Sequence, residues 1–146
     1  MNALPPVMRD QRRIDADHLR LLAIFHFIAA AFALLGVLFL WGHYTLMHVF
    51  MSDPKMWTSP HPRQGPNPAE FFAAFRWFYA AMALWFVASG VLNVISGFCL
   101  RARKCRTFSI VVACINCLYM PLGTILGVFT ILVLARDTVR EEYEAR

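Results

Sequence analysis

Three stretches of the chain, 21–41, 77–100 and 107–135, contain no Asp, Glu, Lys or Arg. They run for 21, 24 and 29 residues. A helix rises about 1.5 Å per residue, so about 20 apolar residues cross the ~30 Å of hydrocarbon in a bilayer. The first two stretches meet that length unaided. A helix on the surface of a soluble domain would show a polar face at every turn, and these do not. The pattern predicts an integral membrane protein built of helices.

Composition agrees. Charged residues make up 16% of the chain and hydrophobic residues 59%, where ordinary soluble chains carry about a quarter charged residues. The net charge of +5 does not point to nucleic acid. The basic residues sit at the ends of apolar stretches, where the positive-inside rule places them, and no basic stripe marks a soluble face. The four cysteines, Cys99, Cys105, Cys114 and Cys117, lie in or beside the second half of the apolar region. None falls in the polar loop after the first stretch, so a disulfide-stapled ectodomain is not expected.

The chain reads as one transmembrane domain, 1–146. Residues 1–20 form a polar cytoplasmic leader in which Arg9, Arg12, Arg13 and Arg20 alternate with Asp10, Asp15 and Asp17. The apolar stretch that follows exceeds the ~7–15 residues of a cleavable signal, so it reads as a retained anchor. Helix 1 is expected over 21–50, with an amphipathic extension past Trp41. An external loop follows over 51–70, where Pro54, Pro60, Pro62, Pro66, Pro68 and Gly65 forbid regular helix. Helix 2 is expected over 71–100, ending at the basic turn 101–106. The third stretch reads either as one long kinked helix or as a hairpin turning near Pro121 and Gly123, residues suited to a break. Charge favours the hairpin. Four spans place eleven basic residues on the cytoplasmic side and three, Lys55, Arg63 and Arg76, outside, the bias that the positive-inside rule expects. Helix 3 is then 105–120, helix 4 is 121–136, and 137–146 is a cytoplasmic tail. The expected fold is an all-α, four-helix antiparallel bundle whose last two helices are short and joined by a tight Pro/Gly turn.

Two motifs carry a resemblance. The first is Asp15-x-x-His18-Leu19-Arg20-Leu21-Leu22-x-Ile24-Phe25-His26, and the second is Pro121-x-Gly123-Thr124-x-Leu126-Gly127-Val128-Phe129. Together they resemble a family of small four-helix membrane proteins widespread in bacteria. The resemblance implies four spans in the inner membrane and carries no known activity, so it adds no function.

Candidate sites fall into four groups. His26, Asn93, Asn116 and Thr130 are expected at roughly 8–14 Å from the cytoplasmic ends of their helices, as one polar layer. Such a layer serves either as interhelical glue or as a proton or substrate relay. Gly90, Gly97, Gly123 and Gly127 offer close-packing surfaces, the last two as Gly-x-x-x-Gly. His43, Met47 and Met51 recur at four-residue spacing, with His48 beside them and Met56 and His61 nearby. Imidazole with thioether suits copper, against the plainer reading of an interfacial helix. Cys114 and Cys117 form a Cys-x-x-Cys of the kind that exchanges electrons in membrane thiol oxidases, although the external loop lacks the second pair such enzymes need. No phosphate loop, nucleophile elbow or paired-carboxylate site is present.

These features predict a non-enzymatic membrane protein that works by association in the lipid bilayer, as a homo-oligomer or an accessory subunit of a membrane complex. No resident cofactor and no nucleic-acid partner are expected. The alternatives are a small channel or transporter lined by the polar layer, and a thiol oxidoreductase or periplasmic copper-handling protein.

Overall fold

A computed structural model describes the backbone of residues 6–53 and 68–144, and their side chains apart from those of 6–9, 68, 69, 71 and 72. The centre of the expected external loop, with Met56 and His61, lies outside the described residues. Those described form five helices and no strand: α1 (Pro6–Ser52), α2 (Pro68–Ala102), α3 (Arg106–Asn116), α4 (Leu122–Leu134) and α5 (Asp137–Glu144). Both long helices open on proline, whose missing N–H and fixed φ suit a first helical position.

The boundaries differ most from those expected in four places. α2 begins at Pro68, three residues inside the expected loop. The polar leader from Pro6 onward is continuous with the first apolar stretch in a single helix of 47 residues. The break in the third stretch falls at 117–121, so α3 ends four residues earlier than expected. The tail is a short helix that meets α4 at a bend of 70°. α5 forms because Val139 and Tyr143, four residues apart, give it one apolar edge, while Asp137 in its first turn complements the helix dipole.

Two helices, α1 and α2, are long and apolar enough to cross a membrane, and a third span results if α4 and α5 are counted together. At about 1.5 Å per residue, α3 and α4 supply only about 16 and 20 Å. Four full-length spans are therefore not what the helix lengths give.

The chain divides into two compact units, residues 1–31 with 90–146, and residues 32–89. The first holds α3, α4, α5 and the adjoining parts of α1 and α2. Its core is Leu19, Leu22 and Ala23 of α1, Leu100 of α2, Val133 and Leu134 of α4, and Val139 of α5, with Ile110, Leu126 and Tyr143 packed against them. α3 and α4 run antiparallel at very close approach. A Cβ on Gly127 would lie 2.3 Å from the Ala113 carbonyl oxygen, and one on Gly123 would lie 2.5 Å from that of Asn116. Only glycine allows this backbone contact. Gly97 makes a softer approach to the Phe27 ring, and Gly90 is half-buried.

The second unit pairs the remaining parts of α1 and α2, also antiparallel: Gly36 sits against Phe86 and His43 against Tyr79. Among its described side chains only Ala33 and Ser89 are buried. From 34 to 88 none is.

Candidate functional site

The polar side chains of the first unit form two groups. The first ties α1 to the α4–α5 junction. Asp15, 1% exposed, lies in the charged turns of α1 that precede the charge-free stretch. Arg136 Nη1 donates to its Oδ1 at 2.7 Å, Gln11 Nε2 donates to the same oxygen at 3.2 Å, and the Thr138 hydroxyl donates to Oδ2. Burial would raise the Asp15 pKa. The hydrogen bonds from Thr138, Arg136 and Gln11 more than offset that and hold the carboxyl below its ordinary 3.8. Arg136 also reaches His18 Nδ1 at 3.4 Å, and His18 meets Phe129 edge-on. Nearby, Arg103 pairs with Glu142, and Arg106 Nε donates to the Leu134 carbonyl at 2.8 Å. The His18–Phe129 contact also brings the 15–26 and 121–129 segments together.

The second group is the expected layer. His26, Asn93, Asn116 and Thr130 are all buried. Asn93 and Asn116 exchange two hydrogen bonds, 3.0 and 2.8 Å, between α2 and α3. His26 and Thr130 do not join them. His26 Nδ1 donates to the Leu22 carbonyl at 2.9 Å, and the Thr130 hydroxyl donates to Leu126 at 2.7 Å. The carbonyl can only accept, so neutral His26 carries its proton on Nδ1 and presents a bare lone pair at Nε2. That Nε2 is buried without a partner, as are the Ser96 and Ser109 hydroxyl oxygens.

The soft-ligand cluster lies in the second unit. His43, Met47 and Met51 share one face of α1, while His48 sits about 140° around it. The Tyr79 hydroxyl meets His43 Nδ1 at 2.7 Å and its ring stacks on the imidazole at 5.8 Å. Tyr79 also touches Tyr44 edge-on, and Phe39 flanks His43. The bond to Tyr79 occupies one ring nitrogen of His43 and leaves Nε2 as the one available for another partner. Among the described residues no group of three or more His, Cys, Asp or Glu side chains is arranged to hold a metal ion.

Cys114 is exposed, whereas Cys117 is half-buried and directs its sulfur at Gly127, 2.5 Å from where a Cβ would stand. The Cys-x-x-Cys therefore serves the α3–α4 contact through one of its two members.

Sequence reasoning missed Asp15 with Arg136 and Thr138, the partner role of Tyr79, and the buried serines. For Ser96 a signal existed: it follows Asn93 by three residues and so shares its helical face. No family model, curated protein or solved structure matches the chain.

Proposed function

We propose that this chain is a small non-enzymatic protein of the bacterial inner membrane that works by lateral association, as a homo-oligomer or as an accessory subunit of a larger membrane complex. The observation that carries this reading is the bare surface of residues 34–88, where no described side chain is buried. Apolar side chains facing lipid call for no partner, because lipid tails are as apolar as leucine. A surface that mixes them with polar side chains suits a protein partner better than lipid alone: His43, whose Nε2 the Tyr79 bond leaves available, and Arg76 are exposed there beside Phe39, Trp41 and Trp77, the three aromatic residues each at least 70% exposed. Among the described residues nothing lies within 4 Å of where a Gly42 Cβ would stand, so a neighbouring helix has room to approach. A second copy, presenting the same mixture, is the partner that matches it best.

The channel reading asks the polar layer to form a path. The Asn93–Asn116 pair instead satisfies itself, which favours glue. Occupation of His43 by Tyr79 and of Cys117 by the α3–α4 contact weigh against the copper and thiol-oxidase readings.

The topology proposed is four spans with both ends cytoplasmic, the last two being short and met by a thinned bilayer. Supporting it, the Asp15–Arg136, Arg103–Glu142 and Arg106–Leu134 contacts gather the leader, the basic turn and the tail at one end of the first unit. Most of the basic residues then share one side of the membrane.

The test is mass in detergent. Native mass spectrometry and crosslinking in native membranes should both give a multiple of 16.7 kDa. Gly42→Leu, whose Cβ would have nothing within 4 Å among the described residues, should shift that mass toward the monomer. Monomers by both methods would refute association between copies, and a complex with another chain would replace it by the accessory-subunit form.

A further inference from the structure

The turn between α2 and α3 holds a feature that neither the association reading nor the polar layer uses. α2 closes with a Schellman arrangement: the Lys104 N–H donates to the Cys99 carbonyl at 2.9 Å and the Arg103 N–H to that of Leu100 at 3.2 Å. Arg103, at φ 53°, occupies the left-handed position that usually falls to glycine. Cys105 is also left-handed, at φ 53°, and caps α3. Two such residues within three positions fold the chain back sharply, and the bond from Lys104 to the Cys99 carbonyl sets the next residue, Cys105, beside Cys99, with the two thiols near enough to interact. Cys105 is exposed and Cys99 half-buried. Arg101, Arg103, Lys104 and Arg106 share this turn, with Arg101 and Lys104 exposed and Arg103 paired with Glu142, and the Tyr143 hydroxyl is buried without a hydrogen-bond partner.

We propose that Cys99 and Cys105 form a reversible dithiol–disulfide site, oxidised by exchange with a small anionic disulfide drawn to the basic turn. Cys105, as the exposed thiolate, attacks one sulfur of the small disulfide. That S–S bond breaks, a mixed disulfide forms on Cys105, and one small thiolate leaves and takes up a proton. Cys99 then loses its proton and attacks the Cys105 sulfur, closing the internal bond and expelling the second small thiol. The two protein thiols give up two electrons and two protons, and the small disulfide receives them as two thiols. Attack by the exposed partner and closure by the half-buried one follow from access. Arg101 and Lys104, exposed on the same turn, favour an oxidant carrying carboxylates.

The probe is glutathione disulfide, added to the full-length protein in detergent, with peptide mapping by mass spectrometry. The wild type should lose two hydrogens without a lasting adduct, the new bond should map to Cys99–Cys105, and dithiothreitol should restore both thiols. Cys99→Ser should trap a stable glutathione adduct on Cys105. Cys114→Ser combined with Cys117→Ser should leave the internal bond unchanged. A persistent adduct on wild-type Cys105, or a bond mapped to Cys114–Cys117 or between two chains, would overturn the proposal.

Discussion

Replacing Gly127 with alanine puts a methyl group 2.3 Å from the Ala113 carbonyl oxygen, 2.5 Å from Cys117 Sγ and 3.0 Å from the Cys117 amide nitrogen. Two of these neighbours are backbone atoms of α3, so no rotamer change removes the clash. A carbon–oxygen contact needs roughly 3.3 Å, which leaves α3 and α4 to separate by about 1 Å. A gap of that size forfeits a quarter to a half of each dispersion contact it opens. Core overpacking typically costs 1–3 kcal/mol, so Gly127→Ala should destabilise the protein by about 2–3 kcal/mol. Gly42→Ala, measured under conditions that give monomers, is the control, because among the described residues nothing lies within 4 Å of its Cβ. Alanine is favoured over glycine in a helix by up to about 1 kcal/mol, so this change should be neutral or stabilising. Reversible unfolding in mixed micelles, followed by circular dichroism, measures both. Equal midpoints for Gly127→Ala and the wild type would refute the backbone-to-backbone contact between α3 and α4.

Asn93→Leu leaves Asn116 buried without its partner and should cost about 1–3 kcal/mol, whereas Asn93→Leu with Asn116→Leu should cost less than either single change. Additive losses in the same unfolding assay would rule out the reciprocal pair. The depressed pKa of Asp15 means that its stabilisation is complete above about 3.8 and is lost as pH falls through the lower folded value. Arg136 is 39% exposed, so Asp15→Asn should cost only about 1–3 kcal/mol near neutrality. It should also flatten the loss of stability below pH 3.8, and an unchanged acid limb would contradict the network. Reporter fusions after Gln64 should read outside and those after Arg103 and Arg146 inside. An outside signal at Arg146 would discard the four-span topology.

How far the sequence carried the fold depends on which physical rule was in play. The helices of the charge-free stretches follow from hydrocarbon thickness and the absence of charge, and they were legible. The hairpin near Pro121 was legible too, because proline and glycine announce a break. Continuation of α1 back to Pro6 was not. Its leader alternates Arg and Asp, a pattern as compatible with a solvated tail as with a helix, and only docking against α5 selects the helix. The α2–α3 turn was hidden for the opposite reason. Its two left-handed positions are held by Arg103 and Cys105, residues that do not advertise positive φ, so nothing in the sequence placed Cys105 over Cys99.

The polar sites divide along the same line. Asn93, Asn116 and Thr130 on apolar helices were identifiable because hydrocarbon would make them costly anywhere but inside, although the same rule was not carried to Ser89, Ser96 and Ser109. What each one bonds to was not. A histidine or threonine in a helix can turn back to a carbonyl four residues earlier, as His26 and Thr130 do, and so needs no partner helix. Asparagine, with a donor and an acceptor on one planar group, is best completed by a second asparagine, which Asn93 and Asn116 provide. Asp15 was concealed by the rule that otherwise worked well. Arg136 looks like one more inside-positive charge, and only contact across 121 residues of sequence makes it the counter-ion of a buried carboxylate. On the four-span reading, a cationic residue such as Arg136 would serve topology by its sign and the fold by its partner, and only the first of these can be read without coordinates.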